Sequence, residues 1–178
     1  MEQINTMDRF LIEGDDFFIV EFDGSMAEAV HKNSLDEDCR RFLPDEVFET
    51  VEEAHAAIAA ILDWYQADRA PLVYAIILKS GENIGYVQAV PIYDAEWEIG
   101  YHVARNYAGK GYATEAVKVF LPVIMNLLSI KEIAGLCIAE NVASCKVMEK
   151  NGFALEYRGL GNYQESTCNI CRYRYSVQ

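Results

Sequence analysis

The sequence predicts an α/β domain built on a mixed, mostly antiparallel central sheet flanked by helices, and three observations predict it. Apolar, β-branched segments at Leu72 to Lys79, Ile84 to Pro91 and Trp97 to Ala104 follow one another through short turns, the pattern of an antiparallel meander. Two long segments carry apolar residues at steps of three and four, the stripe of an amphipathic helix. The second of these lies between two strand segments, and a strand, helix, strand unit brings its strands together in parallel.

The elements read in order as follows. Phe17 to Phe22 is a short strand, and Ser25 offers an N-cap for a helix through about Asn33. Acidic turns come next. From Phe48 to about Ala67, Val51, Ala54, Ile58, Ile61, Leu62 and Tyr65 form a helical stripe with a mostly charged opposite face. Ser80-Gly81-Glu82-Asn83 is turn chemistry and joins Leu72 to Lys79 with Ile84 to Pro91 as a hairpin, while Tyr93-Asp94-Ala95-Glu96 leads into the strand at Trp97. After Gly111, Ala113, Ala116, Val117, Phe120, Leu121, Ile124, Leu127 and Leu128 mark a long buried helix. Pro122 removes one backbone bond from it and crowds the preceding turn, which predicts a kink or an early break near Leu121. Ile133 to Ala139 is a strand. Asn141 caps a helix to about Lys150, stopped at Gly152, and Phe153 to Arg158 and Thr167 to Val177 complete the sheet.

Composition narrows the function. With 178 residues, 52% of them hydrophobic, and no repeat, low-complexity tract or Pro/Ser-rich linker, the chain reads as one domain over 1–178. No apolar run approaches the roughly 18 residues that span a bilayer. Met1 to Asp16 carries acids where a signal peptide needs a basic then apolar start, so a cytoplasmic protein without a membrane partner is expected. The net charge of −13 and the scattered Lys and Arg argue against direct nucleic-acid binding, and an acidic surface attracts cationic substrates. Five cysteines (39, 137, 145, 168 and 171) fit reduced thiols rather than a disulfide framework. Cys168 and Cys171 form a single CxxC, and His31, His55 and His102 show no ligand spacing, so no metal is expected.

The segment Arg105 to Thr114 carries the first specific signal. Free N–H groups converge at a helix start, where the macrodipole favours an anion, and glycine lets the backbone approach a phosphate closely. Gly109-Lys110-Gly111 sits between a strand and a helix, as that chemistry requires. A P-loop fails here because Ala104 holds the first glycine position and Gly111 follows Lys110 in place of Ser or Thr; a dinucleotide GxGxxG fails at Thr114.

Three blocks resemble the GCN5-related N-acetyltransferases (GNAT), and within them the RimJ/RimL-like branch. They are Glu98-Ile99-Gly100-Tyr101, then Tyr107 to Ala116, then Asn141-Val142-Ala143-Ser144 followed by Glu149-Lys150-Asn151-Gly152-Phe153. The resemblance implies the acyl-CoA N-acyltransferase fold, in which the strand before the loop diverges from the next parallel strand and the pantetheine of acetyl-CoA lies in the gap. Carried over by position, the backbone amides of Gly109, Lys110, Gly111, Tyr112 and Ala113 hold the diphosphate, Val103 pairs with the pantetheine, and Asn141 and Ser144 face the cofactor, with Tyr107 a further contact. Asn106 departs from the Gln or Arg that usually stands three residues before the first glycine, and Leu160 to Ser166 matches nothing in the pattern.

Attack on a thioester needs a neutral amine, a place for the oxyanion and a proton for the departing thiolate. Glu98 is the candidate base, equally readable as a solvated strand acid. Ser144 is the candidate proton donor by analogy with the branch, equally readable as a helix-start serine bonding the backbone, and Tyr101 is a further candidate. Cys145 has no histidine nearby in sequence, so direct transfer in a ternary complex is expected rather than an acetyl-enzyme. The expected acceptor is a primary amine: a peptide N-terminus, a polyamine or an aminoglycoside-like molecule, selected by the Asp36 to Glu53 region and the Leu160 to Ser166 loop. Alternatives are a noncatalytic CoA-binding module and an ATP-using phosphate-loop enzyme. Either a monomer or a homodimer is compatible with the sequence.

Overall fold

The protein was analysed as a computed structural model that describes residues 10–93 and 96–177. Asp94 and Ala95 of the turn expected before the third meander strand, and most of the acidic N-terminal segment, lie outside the described residues. Among the described residues, eight strands form one sheet: β1 (Leu11–Glu13), β2 (Phe17–Glu21), β3 (Leu72–Leu78), β4 (Asn83–Pro91), β5 (Trp97–Val103), β6 (Glu132–Ile138), β7 (Ala154–Tyr163) and β8 (Ser166–Ser176). Their spatial order is β1-β2-β3-β4-β5-β6-β8-β7. Only β5 and β6 pair in parallel, because α4 (Tyr112–Leu127) connects them; the other six pairings are antiparallel. The expected mixed sheet with one parallel pairing is therefore present.

Strand alternation divides the core into two layers. On one face, α4 and α5 (Val142–Lys150) cover Val87, Ile99 and Ile133, with Phe120, Ile124 and Met148 fully buried between. On the other, α1 (Ala27–Ser34) and α3 (Val51–Trp64) pack Ala54 and Ile58 against Phe22, Val73 and Ala75. No helix among the described residues is long and apolar enough to cross a membrane.

Several local expectations change. Asp23, not Ser25, supplies the cap: its carboxylate accepts from the Ser25 N–H at the start of a 3₁₀ turn (Gly24–Met26), and α1 begins only at Ala27, with no side-chain cap. The acidic turns are a short helix, α2 (Glu37–Phe42), capped by Asp36, and a 3₁₀ turn at Pro44–Glu46; sequence periodicity is too brief there to show. α3 begins in a capping box between Thr50 and Glu53. β1 is an addition, and β7 absorbs Leu160 to Tyr163, leaving Gln164-Glu165 as the hairpin tip.

Of the kink or early break expected near Leu121, the break does not occur, since α4 is continuous to Leu127. Pro122 and Lys118 both lie on the exposed face, so the carbonyl that the proline leaves unpaired faces water, while Leu121, Ile124 and Met125 stay buried. Packing of the apolar stripe overrides the local preference. Pro122→Ala restores that hydrogen bond and is expected to stabilise the fold by about 2 kcal/mol in a urea titration, the helix gain being partly offset by a more flexible unfolded chain. An unchanged or lower midpoint would show that the helix is built around the proline.

Candidate active site at the splayed strand pair

β5 and β6 share register at only two positions, Glu98 with Ala134 and Ile99 with Gly135. Beyond Ile99, β5 keeps β4 on one side as far as Gly85 opposite Val103, but has no ladder partner on the other. The strands separate there, and the N-terminus of α5 fills the wedge. Asn141 caps that helix by accepting the Ser144 N–H at 3.1 Å. The Tyr101 hydroxyl donates to the Ser144 carbonyl at 3.0 Å and lies 2.9 Å from Ser144 Oγ, so the two hydroxyls form one hydrogen-bonded unit. Burial pushes the Tyr101 pKa up, which keeps that hydroxyl a neutral donor.

A groove of about 510 Å³ runs from this unit toward the α4 start, lined by Tyr101, Val103, Gly109, Gly111, Ala113 and Asn141 among others. Gly109 and Gly111 have φ of 76° and 91°, and nothing in the protein lies within 4 Å of where their side chains would stand. Backbone conformation, not crowding, thus demands glycine at both, and the space above them is open. Among the described residues, the N–H groups of Gly109, Lys110, Gly111, Tyr112 and Ala113 make no hydrogen bond with the protein, the free donor set that suits a diphosphate. Asn151 at the end of α5 donates to the Thr114 carbonyl at 3.1 Å, fixing the two helices that flank the groove.

A strap that no residue spacing announces runs along this groove, α2 contributing Asp38 and Phe42 to its lining. α2 is tied to one lip by Asp36, which accepts the Arg105 N–H at 3.2 Å, and by a 3.0 Å Glu37–Arg105 ion pair; an Arg41–Glu140 pair ties it to the other. Although burial works against it, His102 and the N–H groups of Cys39 and Arg105 hold the Asp36 carboxyl down at about 2.

On the far side of Tyr101 and Ser144 lies a second cavity, of about 230 Å³, which those two residues also line. Glu98 opens into it, with Glu46 from the 3₁₀ turn and Tyr163 and Gln164 from the β7–β8 tip. Burial pushes the Glu98 carboxyl up to about 7 despite an opposing pull from Arg172. Burial, helped by Asp45, does the same for Glu46. The Tyr163 hydroxyl is pushed up by burial and by both acids. Glu46 and Asp36 were missed because they sit in a segment legible only as acidic turns.

Tyr101 and Ser144 thus sit together at the shared wall, Glu98 on one side and Val103, Tyr107, Gly109, Gly111, Tyr112, Ala113 and Asn141 on the other. Lys110 is the exception: its ammonium lies over the Tyr107 ring at 5.6 Å, and its side chain does not line the groove. Cys145 Sγ is 3.5 Å from Cys137 Sγ behind Ser144, and burial raises the Cys137 thiol pKa, which disfavours a thiolate nucleophile there.

A sequence model of the acetyltransferase (GNAT) domain matches residues 18–154, and the chain belongs to this family of N-acetyltransferases. The uncharacterized N-acetyltransferase YnaD of Bacillus subtilis (strain 168) is 29% identical over 139 residues, covering 78% of this chain and 79% of that protein. A GNAT-family acetyltransferase from Bacillus anthracis has a TM-score of 0.80 at 24% identity, over 94% of this chain and 98% of its own. RimL, a ribosomal L7/L12 α-N-protein acetyltransferase solved in complex with coenzyme A, has a TM-score of 0.81 at 19% identity over 94% and 98%. The microcin C7 self-immunity acetyltransferase MccE, solved with acetyl-CoA and AMP, gives 0.79 at 20% over 92% and 94%.

The raised Glu98 pKa has a stability consequence. Between about 4.5 and about 7 the unfolded chain releases this proton while the folded chain retains it, so Glu98 makes the fold less stable as pH rises through that window. Glu98→Gln is expected to gain stability relative to the parent from pH 4.5 to 7.5, read as the difference between urea midpoints. A constant difference across that range would show that Glu98 titrates normally.

Proposed function

We propose that the protein transfers the acetyl group of acetyl-CoA to a primary amine by direct attack within a ternary complex. The observation that carries this reading is the position of the Tyr101–Ser144 pair at the common wall of two cavities, one ending on free N–H groups and the other on half-buried acids. Acetyl-CoA, when bound, supplies an activated acetyl thioester. Gly109, Lys110, Gly111, Tyr112 and Ala113 would hold its diphosphate through backbone N–H groups, with Val103, Tyr107, Asn141 and Ser144 along the rest of its path.

Glu98, with a pKa near 7, takes a proton from the incoming ammonium and leaves a neutral amine to attack. The Tyr101–Ser144 hydroxyls would pass a proton to the departing thiolate and regain one from the nitrogen, which loses its second proton as the amide forms. Tyr101 already donates to the Ser144 carbonyl, so the Ser144 hydroxyl is the freer of the two to do so. The thiols have no role in this scheme. The reading also takes residues 1–178 as one domain, supported by the single sheet that the described strands form, cytoplasmic and acting as a monomer or homodimer.

Two measurements test it. Acetyl-CoA at 100 times its dissociation constant adds about 2.7 kcal/mol to folding stability, so a clear rise in melting temperature is expected, and no shift at millimolar coenzyme A would end the proposal. With acetyl-CoA and an alkylamine of pKa about 10, kcat/KM should rise with pH through a limb near 7 that Glu98→Gln lacks, with a loss of roughly 100-fold. An α-amine, with a pKa of about 8, should lose less. Equal profiles for parent and variant would remove Glu98 as the base.

A further inference from the structure

A third cavity, of about 340 Å³, lies on the α1/α3 face of the sheet and adjoins the acid-lined one. The two share Glu46, Tyr86, Gln88 and Val90. Strand register explains the continuity. Val90 stands opposite Glu98, Gln88 opposite Gly100, and Tyr86 opposite His102, three cross-strand pairs in a row on one face. A Cβ on Gly100 would come within 2.7 Å of Gln88 Nε2, so glycine there leaves the Gln88 side chain its place beside the passage.

The interior of this cavity is apolar, walled by Phe22, Phe48, Ile58, Ile61, Trp64 and Val73. Among the described residues, three buried side-chain polar atoms lack a hydrogen-bond partner: Asn83 Nδ2, Tyr86 Oη and His102 Nε2. All three belong to residues lining this cavity, Tyr86 also facing the acid-lined space and His102 also the groove. His102 Nε2 is 3.6 Å from Asp36 Oδ2, beyond hydrogen-bond reach. Unsatisfied buried donors are costly, and their gathering around one apolar space is the arrangement of a ligand site, in which apolar walls supply affinity and a few polar atoms fix orientation.

We infer that this cavity receives the body of the acceptor, and that the acceptor is a primary amine carrying an aromatic or branched apolar group with one polar atom for Asn83, Tyr86 or His102. The inference rests on the acetyl-transfer reading above and specifies its substrate. The amine projects past Val90 toward Glu98, while the body sits between α3 and β4. The cavity's only acids, Asp45 and Glu46, belong to the Pro44 turn, and Glu46 is shared with the acid-lined space. A polyamine or aminoglycoside would place further charges against Phe22, Ile58 and Trp64 without a counter-charge, which is strongly disfavoured. The same chemistry can come from a free arylalkylamine or from a peptide that begins with an aromatic residue.

Initial rates with saturating acetyl-CoA on tryptamine, a Trp-initiated tripeptide, n-butylamine and spermidine test this in the parent enzyme. Burial of an aromatic body predicts a kcat/KM for tryptamine or the tripeptide roughly tenfold to 100-fold above n-butylamine, carried in KM, and the better of the two identifies the source. Ala60→Trp, on the α3 wall of the cavity, should cut the ratio of kcat/KM for the aromatic amine over n-butylamine to near one, with acetyl-CoA affinity within about twofold. Spermidine or n-butylamine matching the aromatic amines in the parent would overturn the inference and leave acetyl transfer standing, and so would a folded Ala60→Trp that turns over tryptamine unchanged. Turnover of no amine together with no coenzyme A binding would end both. The parent ranking decides the matter even if Ala60→Trp does not fold.

Discussion

The two-residue parallel contact between β5 and β6 is the constraint on which the rest of the site depends. A longer ladder would close the sheet and leave neither a wedge for α5 nor an unpaired edge on β5. Each of the two strands keeps a full ladder on its other edge, β5 to β4 and β6 to β8, so the gap opens inside the sheet. Gly135, at the last paired position, lets Met148 of α5 approach where a Cβ would come within 2.5 Å of Met148 Cε, so the helix seats directly behind the point of divergence. That seating puts Ser144 against Tyr101 and sets the N-termini of α4 and α5 beside one groove.

Charge is distributed around this opening in a way that follows from burial. The chain carries a net −13, yet the two acids facing the inner cavity, Glu98 and Glu46, are poised near neutral pH because solvent is largely kept from them. Asp36, only a short way along the same segment, is driven the other way by the donors it accepts from. One stretch of acids therefore contains a strap anchor that stays ionised and a wall residue whose pKa burial raises to about 7. An anion in the groove meets the backbone N–H groups of the Gly109 loop and the Lys146 and Lys150 side chains of α5 that line it, while Lys110 turns onto Tyr107.

Much of this was legible in the sequence wherever physics is local. The meander, the long stripes of α3 and α4, the Asn141 cap and the strand-to-helix glycine loop each depend on residues within a few positions of one another, and each appears near its expected bounds. The exceptions have definite causes. Pro122 is read locally as a break, but the consequence of a missing N–H depends on which way the carbonyl four residues earlier faces. α2 is six residues long, too short for a period, and exists through contacts with Arg105 and Glu140 that lie far off in sequence. Glu98 could be singled out from its motif, but its companion Glu46 and the cavity beyond β4 come from pairings of distant elements that no spacing reveals.

The central claim is that coenzyme A enters the wedge between β5 and β6 and meets the N–H groups at the start of α4. Amide chemical shifts followed during a coenzyme A titration of ¹⁵N-labelled protein test it most directly. The account predicts the largest changes at Gly109 to Ala113, with a second group at Tyr101 to Val103 and Asn141 to Ser144, and little change on β1 and β2 at the far edge of the sheet. Saturable binding whose largest shifts fall away from these three segments would contradict it.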